Sequence, residues 1–167
     1  VLRNWDESLP SAMRNCEAIE SLASQLRRSL FGLNLSVSWI HGDLWCANLL
    51  ATPDGSNVTG VLDWDLAAAD DLPQIDQVQL LISTRKTLRG RQIGSIMVEL
   101  LKGGGSLLPH EQAILDSAKL PGDSVDMRTL LLLSWLRDVA TNLTESARYP
   151  DKWYWQPMNI SPVLKNL

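Results

Sequence analysis

Seven aspartates lie between residues 41 and 76, in a stretch that contains no lysine or arginine. The whole chain carries 19 acidic and 15 basic residues, so the remainder has 12 acidic residues against the same 15 basic ones. Carboxylates that cluster without a nearby base are accounted for when a divalent cation balances them. This acidic window, residues 41–76, therefore predicts a set of oxygen ligands on loops that strands hold in place.

The composition is otherwise that of an ordinary globular protein of 167 residues, which suits a single domain or one lobe of a larger one. A formal charge of −4 argues against a generally basic nucleic-acid binder. The longest apolar run, Leu130–Leu133, is too short to span a bilayer, and no secretory signal is recognisable. Two cysteines without a disulfide or zinc pattern favour a reduced, cytoplasmic setting.

Hydrophobic periodicity predicts that helices form most of the chain. Apolar residues at three-to-four spacing predict a helix over residues 10–30, and helical structure resumes after Pro73. The clearest helical pattern runs from Asp126 to about Arg148. The tail, residues 149–167, contains three prolines and is predicted to be irregular coil packed on the rest.

Short strands are predicted within the first half of the chain, at residues 37–40, 49–51 and 58–62. The turn residues Pro53–Ser56 join the last two strands into a hairpin. Helices together with a few short strands indicate an α+β fold in which helices dominate.

Within the acidic window, His41-Gly-Asp43 is followed five residues later by Asn48, and Asp63 ends the next apolar strand. A hairpin between Asn48 and Asp63 would place these two side chains next to each other. A carboxylate and an amide oxygen suit Mg²⁺, which takes few protein ligands and completes its shell with water and phosphate. Asp43 would then be left to accept a proton from a substrate hydroxyl.

This spacing is that of the H-x-D-x-x-x-x-N catalytic loop and metal-binding aspartate of protein-kinase-like phosphotransferases. Over residues 36–82 the sequence resembles the aminoglycoside phosphotransferase and choline kinase-like family, in which glycine follows the loop histidine as Gly42 does here. The resemblance implies the mainly helical C-terminal lobe of a protein-kinase-like fold, with a short β-hairpin carrying the catalytic loop. It also implies transfer of the γ-phosphoryl group of ATP, or of another nucleoside triphosphate, to a small-molecule hydroxyl.

Carried over by position, the resemblance implies a role for each residue of the window. Asp43 would be the catalytic base, and His41 would order the catalytic loop. Asn48 and Asp63 would bind Mg²⁺ and, through it, the nucleotide phosphates. Asp65 is a further candidate metal contact.

Asp76, near the start of the helical region after Pro73, is implied to be a structural acid that ties the catalytic loop down. Only 12 residues separate Asp63 from Asp76, which is too few for a long activation loop. Gly42 also stands where protein kinases usually carry an arginine that can pair with an activation-loop phosphate. These departures favour a small-molecule kinase without a phosphorylation switch.

In kinases of this kind an N-terminal lobe binds the nucleotide through a glycine-rich loop and a lysine that is paired with a glutamate. The sequence before His41 contains neither feature. We therefore expect the chain, residues 1–167, to be a C-terminal lobe whose N-terminal nucleotide lobe lies elsewhere in a longer parent chain. On its own it is expected to be inactive or very weak.

Two other functions compete with a phosphotransferase. The first is a catalytically silent kinase-like binding module, which the lack of a nucleotide lobe keeps open although Asp43, Asn48 and Asp63 speak against it. The second is a phosphatase that uses Asp63-x-Asp65 after an apolar strand. That pattern wants threonine or valine where Ala67 stands, and it leaves the catalytic loop unexplained.

Other polar and aromatic residues are interpreted without a role in chemistry. Asp70 and Asp71 are expected in a solvated loop or at a helix start, and Trp153–Trp155 are expected to pack against the core or another lobe. Four basic residues are predicted to form a solvated helix face: Arg85, Lys86, Arg89 and Arg91.

Overall fold

The computed structural model describes residues 17–103, 107–117, 125–144 and 155–167. Its helices are α1 (Glu17–Leu30), α2 (Gln74–Arg89), α3 (Ile93–Leu101), α4 (Pro109–Ser117), α5 (Met127–Thr144), α6 (Trp155–Asn159) and α7 (Ser161–Leu164). Its strands are β1 (Ser38–Ile40), β2 (Leu49–Ala51), β3 (Val58–Val61) and β4 (Ala68–Asp71). The mixture of many helices and few short strands agrees with the predicted α+β class.

Helix α5 is the centre of the helical part. Its residues 130–136 are all buried, including Trp135, which is fully enclosed. A helix that is buried on every side needs neighbours on several faces, and α5 contacts α1, α2 and α3. Among the described helices, none combines the length and the apolar composition that crossing a bilayer requires.

The strands form two separate antiparallel pairs. In one pair β1 lies against β4, with Ser38 opposite Asp71. In the other, β2 and β3 form the predicted hairpin, with Leu49 opposite Val61. The catalytic loop, residues 41–48, therefore runs from the β1–β4 pair to the β2–β3 hairpin. The predicted hairpin begins directly after this loop, whereas the strand before the loop, β1, pairs with β4.

The sequence patterns locate most of the helices correctly. Helix α1 confirms the described part of the helix predicted over residues 10–30, and α5 confirms the described part of the strongest helical pattern. The predicted residues 10–16 and 145–148 lie outside the described residues. Helices α2 and α3 are separate, since Gly90 adopts a left-handed conformation with φ 59° and ends α2.

The predictions for the tail and for Asp71 are wrong. The tail is not irregular throughout, because it contains α6 and α7, and Pro162 occupies the first turn of α7, where no backbone N–H is needed. Trp155 is buried in α6, while Trp153 and Tyr154 lie outside the described residues. Asp71 is not a solvated loop acid, because it lies buried in β4.

Candidate active site

His41 is a buried residue whose ring is fixed on both sides. Its Nε2 lies 2.7 Å from the backbone oxygen of Leu62, and its Nδ1 accepts the backbone N–H of Asp43 at 3.2 Å. Since a carbonyl oxygen only accepts, Nε2 carries the proton and donates, which leaves Nδ1 as the acceptor. The imidazole thereby links the catalytic loop to the end of strand β3 and orders both.

Asp76 holds the start of the same loop from helix α2. Its Oδ2 accepts the backbone N–H of His41 at 2.6 Å, and its Oδ1 accepts the backbone N–H of Gly42 at 2.9 Å. A carboxylate that accepts two backbone N–H groups makes charge-assisted hydrogen bonds, which are stronger than neutral ones. The side chain therefore fixes the direction in which the chain leaves β1.

Gly42 is required by both its conformation and its surroundings. Its φ is +82°, and a Cβ atom placed there would lie 2.1 Å from the backbone oxygen of Leu66 and 2.8 Å from a guanidinium nitrogen of Arg137. That guanidinium donates to Leu66 O at 3.2 Å and to Asp71 Oδ2 at 2.6 Å. Arg137 on α5 therefore packs the segment after Asp63 against the catalytic loop.

Asp43 faces solvent-accessible space with its carboxylate held from two sides. Its Oδ1 accepts a hydrogen bond from Gln79 Nε2 at 3.2 Å. The amide nitrogen of Asn48 donates to the backbone oxygen of Asp43 at 3.0 Å and approaches its Oδ2 at 3.5 Å. These donors orient the carboxylate without pairing it with a cation, so it keeps oxygen lone pairs for a further donor.

Asn48 and Asp63 come together through the backbone of the hairpin. The N–H of Leu62 donates to the backbone oxygen of Asn48 at 2.8 Å, which places Asp63 one residue beyond this link. Asn48 is buried and its amide nitrogen is used by Asp43, so its Oδ1 is the atom left for a ligand. Asp63 is exposed and has a φ of +62°, which is uncommon for a residue other than glycine.

The two side chains fit a Mg²⁺ ion by the chemistry of their donors. In the described part of the chain, neither the Asp63 carboxylate nor the Asn48 Oδ1 has a hydrogen-bond partner. One carboxylate and one amide oxygen satisfy an ion that keeps several waters and also binds phosphate. No group of three or more His, Cys, Asp or Glu side chains within the described ranges makes a self-contained metal cage. Asp65 is exposed next to this pair.

A cavity of about 430 Å³ opens beside Asp43, between the catalytic loop and helices α2 and α5. Asp43, Gln79 and Asp138 of α5 are among the residues that line it. The pKa of Asp138 is raised to about 6, chiefly because burial disfavours its charged form. The charge of Lys86 and a hydrogen bond with the Asn142 side chain oppose this effect, while the nearby charge of Asp43 adds to it.

Sequence reasoning did not identify Gln79, Arg137 or Asp138 as parts of the site. Each stands in a helix far along the chain from the loop it meets, and helical periodicity gives no partner for it. An available signal was the Arg137-Asp138 pair itself, because two charged residues interrupt the most apolar helical stretch of the chain. Charged residues in such a stretch are buried only with a partner or a function.

Comparison with known protein families places part of the chain in a family. The model of the phosphotransferase enzyme family (APH) matches residues 3–101, which are 99 of the 167 residues. No curated protein and no solved structure matches the chain. The matched segment contains the catalytic loop, Asp63 and Asp76, and it ends before helix α5.

Proposed function

The chain belongs to the phosphotransferase enzyme family, and on this basis we propose that it transfers the γ-phosphoryl group of ATP to a hydroxyl of a small molecule. The observation that carries this proposal is the Asp43 carboxylate, which Gln79 and Asn48 orient at the edge of a cavity large enough for a small acceptor. A base that faces such a cavity, next to a pair of Mg²⁺ donors, has the parts that phosphoryl transfer needs.

In the proposed reaction an acceptor hydroxyl donates a hydrogen bond to Asp43. The hydroxyl oxygen attacks the γ-phosphorus, the bond from that phosphorus to the β,γ-bridging oxygen breaks, and ADP leaves with the bond electrons. Asp43 takes the hydroxyl proton and returns it to solvent. Asn48 and Asp63 would hold Mg²⁺, which neutralises phosphate charge when bound.

The remaining residues act on the position of these groups rather than on the substrate. His41 and Asp76 fix the loop that carries Asp43, through the bonds to Leu62 and to the loop backbone. A displacement of about 1 Å in a base can cost about a hundredfold in rate, so this rigidity is part of the proposed mechanism. Asp65 remains a candidate second metal contact within the same proposal.

The proposal also includes a nucleotide-binding lobe outside the 167 residues. Large apolar side chains on the strands are exposed, with Trp39 at 72%, Val58 at 60% and Leu50 at 48%. Exposed apolar surface of this kind is typical of a face that another unit covers. The isolated chain is therefore expected to transfer little or no phosphate, and normal turnover by the chain alone would overturn this part of the proposal.

The test measures ADP release and labelled phosphate transfer by the longer parent protein over a panel of hydroxyl compounds. Asp43→Asn is expected to lower kcat by about 10²–10⁴-fold, with Mg²⁺–ATP binding by calorimetry unchanged. Asp63→Asn is expected to weaken Mg²⁺–ATP binding itself. Asp116→Asn is the matched control, because Asp116 is exposed on α4 outside the cavity.

Wild-type turnover in Asp43→Asn would contradict the assigned base. Nucleotide binding without transfer to any acceptor in the panel would favour the silent binding module instead.

A further inference from the structure

The cavity beside Asp43 has an unusual balance of charges. Among the described residues that line it, three side chains are charged, namely Asp43, Lys86 of α2 and Asp138 of α5. Asp43 is committed to the reacting hydroxyl in the proposed function, so Asp138 and Lys86 are the two charges left to meet the rest of an acceptor.

Asp138, one of the residues that line this cavity, has a carboxylate oxygen without a hydrogen-bond donor among the described residues. Its Oδ2 is buried and has no hydrogen-bond partner within the described ranges. A buried carboxylate oxygen without a donor is costly, and native proteins rarely keep one without a reason. The raised pKa of Asp138 has the same origin, because burial withdraws the carboxylate from water. A ligand that brings a hydrogen-bond donor to Oδ2 would remove this cost.

The charge of Lys86 and the uncharged polar residues of the lining indicate which kind of hydrogen-bond donor the ligand carries. The charge of Lys86 already acts favourably on the Asp138 carboxylate, so a second cation in the cavity would meet an ammonium group. The other polar lining residues are uncharged, and four of them are hydroxyls: Ser83, Thr87, Ser134 and Thr141. Hydroxyls both donate and accept, which matches a ligand that is itself rich in hydroxyl groups.

Size and shape point to the same class of ligand. A volume of about 430 Å³ is near the lower end of the range of about 300–1,000 Å³ that small-molecule sites cover. Trp45 of the catalytic loop lines the cavity and is 37% exposed, so its ring is available to pack against an apolar ring face.

We propose, resting on the proposed function, that the acceptor is an uncharged polyol of monosaccharide or cyclitol size, and that Asp138 binds one of its non-reacting hydroxyls. Asp138 is then a specificity-determining residue, which selects the acceptor without taking part in proton transfer.

The test measures binding directly, by calorimetry and by saturation-transfer NMR without nucleotide, so that it requires no phosphoryl transfer. The probes are glucose and myo-inositol as neutral polyols, glucosamine as a cation and gluconate as an anion. We expect the neutral probes to bind best, and Asp138→Asn to weaken them by about tenfold or more through loss of a charge-assisted hydrogen bond. Asp116→Asn is expected to bind them as the wild type does.

Preference for glucosamine or gluconate would overturn the uncharged class. Equal binding of the neutral probes by wild type and a folded Asp138→Asn variant, or no binding of them at all, would overturn the role of Asp138. Circular dichroism and thermal melting establish that each variant is folded.

The polyol site and the proposed phosphotransferase activity can each fail without the other. Polyol binding that depends on Asp138, in a protein that transfers no phosphate to any acceptor, would refute the transferase and leave the polyol site. Phosphate transfer to a charged acceptor would support the transferase and refute the polyol site.

Discussion

The carboxylate of Asp76 accepts the backbone N–H of His41 at 2.6 Å, although the two residues are 35 positions apart in the sequence. Asp76 also accepts the backbone N–H of the next residue, Gly42. The two N–H groups that follow strand β1 therefore bond to a carboxylate and not to a neighbouring strand. These contacts also explain why a loop between two small strand pairs has a fixed conformation.

Asp76→Asn is expected to lower stability by about 1–3 kcal/mol. An asparagine retains only one acceptor oxygen, and its NH₂ group then faces a backbone N–H. Because the loop loses its anchor, kcat should fall while the affinity for Mg²⁺–ATP changes little. Urea unfolding and steady-state kinetics measure the two effects. Unchanged stability would show that the contact does not hold the loop.

Gly42→Ala tests the close approach of the catalytic loop to the segment after Asp63. The added Cβ would lie 2.1 Å from the Leu66 oxygen, so the two segments must move apart. Gly55→Ala is the matched control, because Gly55 has a similar φ of +70° but open space around it. The control should lose about 1–2 kcal/mol from backbone strain alone, and Gly42→Ala should lose clearly more. Equal losses by urea unfolding would contradict the steric argument.

The prediction that Arg85 lies on a solvated basic helix face is wrong, because Arg85 is buried. Its guanidinium donates two parallel hydrogen bonds to Glu111, at 2.6 and 2.7 Å, and a third to Glu99 at 2.8 Å. Arg85→Met should cost about 3–5 kcal/mol, because it leaves the Glu111 charge buried without this partner. Arg89→Met, at a more exposed position four residues along α2, should cost about 1 kcal/mol or less.

The same ion pair gives a pH dependence. The pKa of Glu111 is lowered to about 2, mainly by its hydrogen bonds with Arg85. A lowered carboxyl pKa contributes stability that is complete above the unfolded pKa, about 4.5, and is lost as the pH falls towards 2. The stability difference between wild type and Arg85→Met should therefore shrink over this range. A difference that stays constant from pH 7 to pH 2.5 would exclude the pair as its source.

For Asp138 we expect the stability of the folded state to change with pH in the opposite direction. Its pKa is raised from 3.8 to about 6 by burial, so the folded state is penalised once the carboxyl group ionises, as the pH rises from 3.8 to 6. Asp138→Asn should therefore be more stable than wild type by about 2–3 kcal/mol above pH 7, and equal to it near pH 3.5. Urea unfolding across this range, with Asp116→Asn as control, measures the effect. A gain that does not vary with pH would contradict it.

The sequence predicts best those features that are formed by residues close together along the chain. The β2–β3 hairpin, which begins directly after Asn48, could be predicted because the turn residues Pro53–Ser56 mark it in the sequence. Asp76 and His41 both make hydrogen bonds to the loop backbone, and Asn48 makes one to the backbone oxygen of Asp43.

The sequence was least informative where tertiary contacts override local preference. Strand β4 has the sequence Ala-Ala-Asp-Asp, which has little β propensity, and it is a strand because β1 supplies its hydrogen bonds and Arg137 neutralises Asp71. Arg85 and Lys86 are neighbours of the same charge type, yet one is buried and the other exposed, since only Arg85 faces glutamates of two other helices. No property of either residue alone distinguishes them.

Helix α5 supplies two consecutive side chains to different parts of the site. Arg137 holds the segment after Asp63, and Asp138 lines the cavity, with their directions about 100° apart around the helix axis. Any rotation of α5 that widens the cavity for a bulkier acceptor also pulls on the segment that positions Asp63. The size of the cavity and the position of the segment after Asp63 are thus mechanically coupled, and a substitution that enlarges the cavity at this helix would have to be accompanied by a compensating change in that segment.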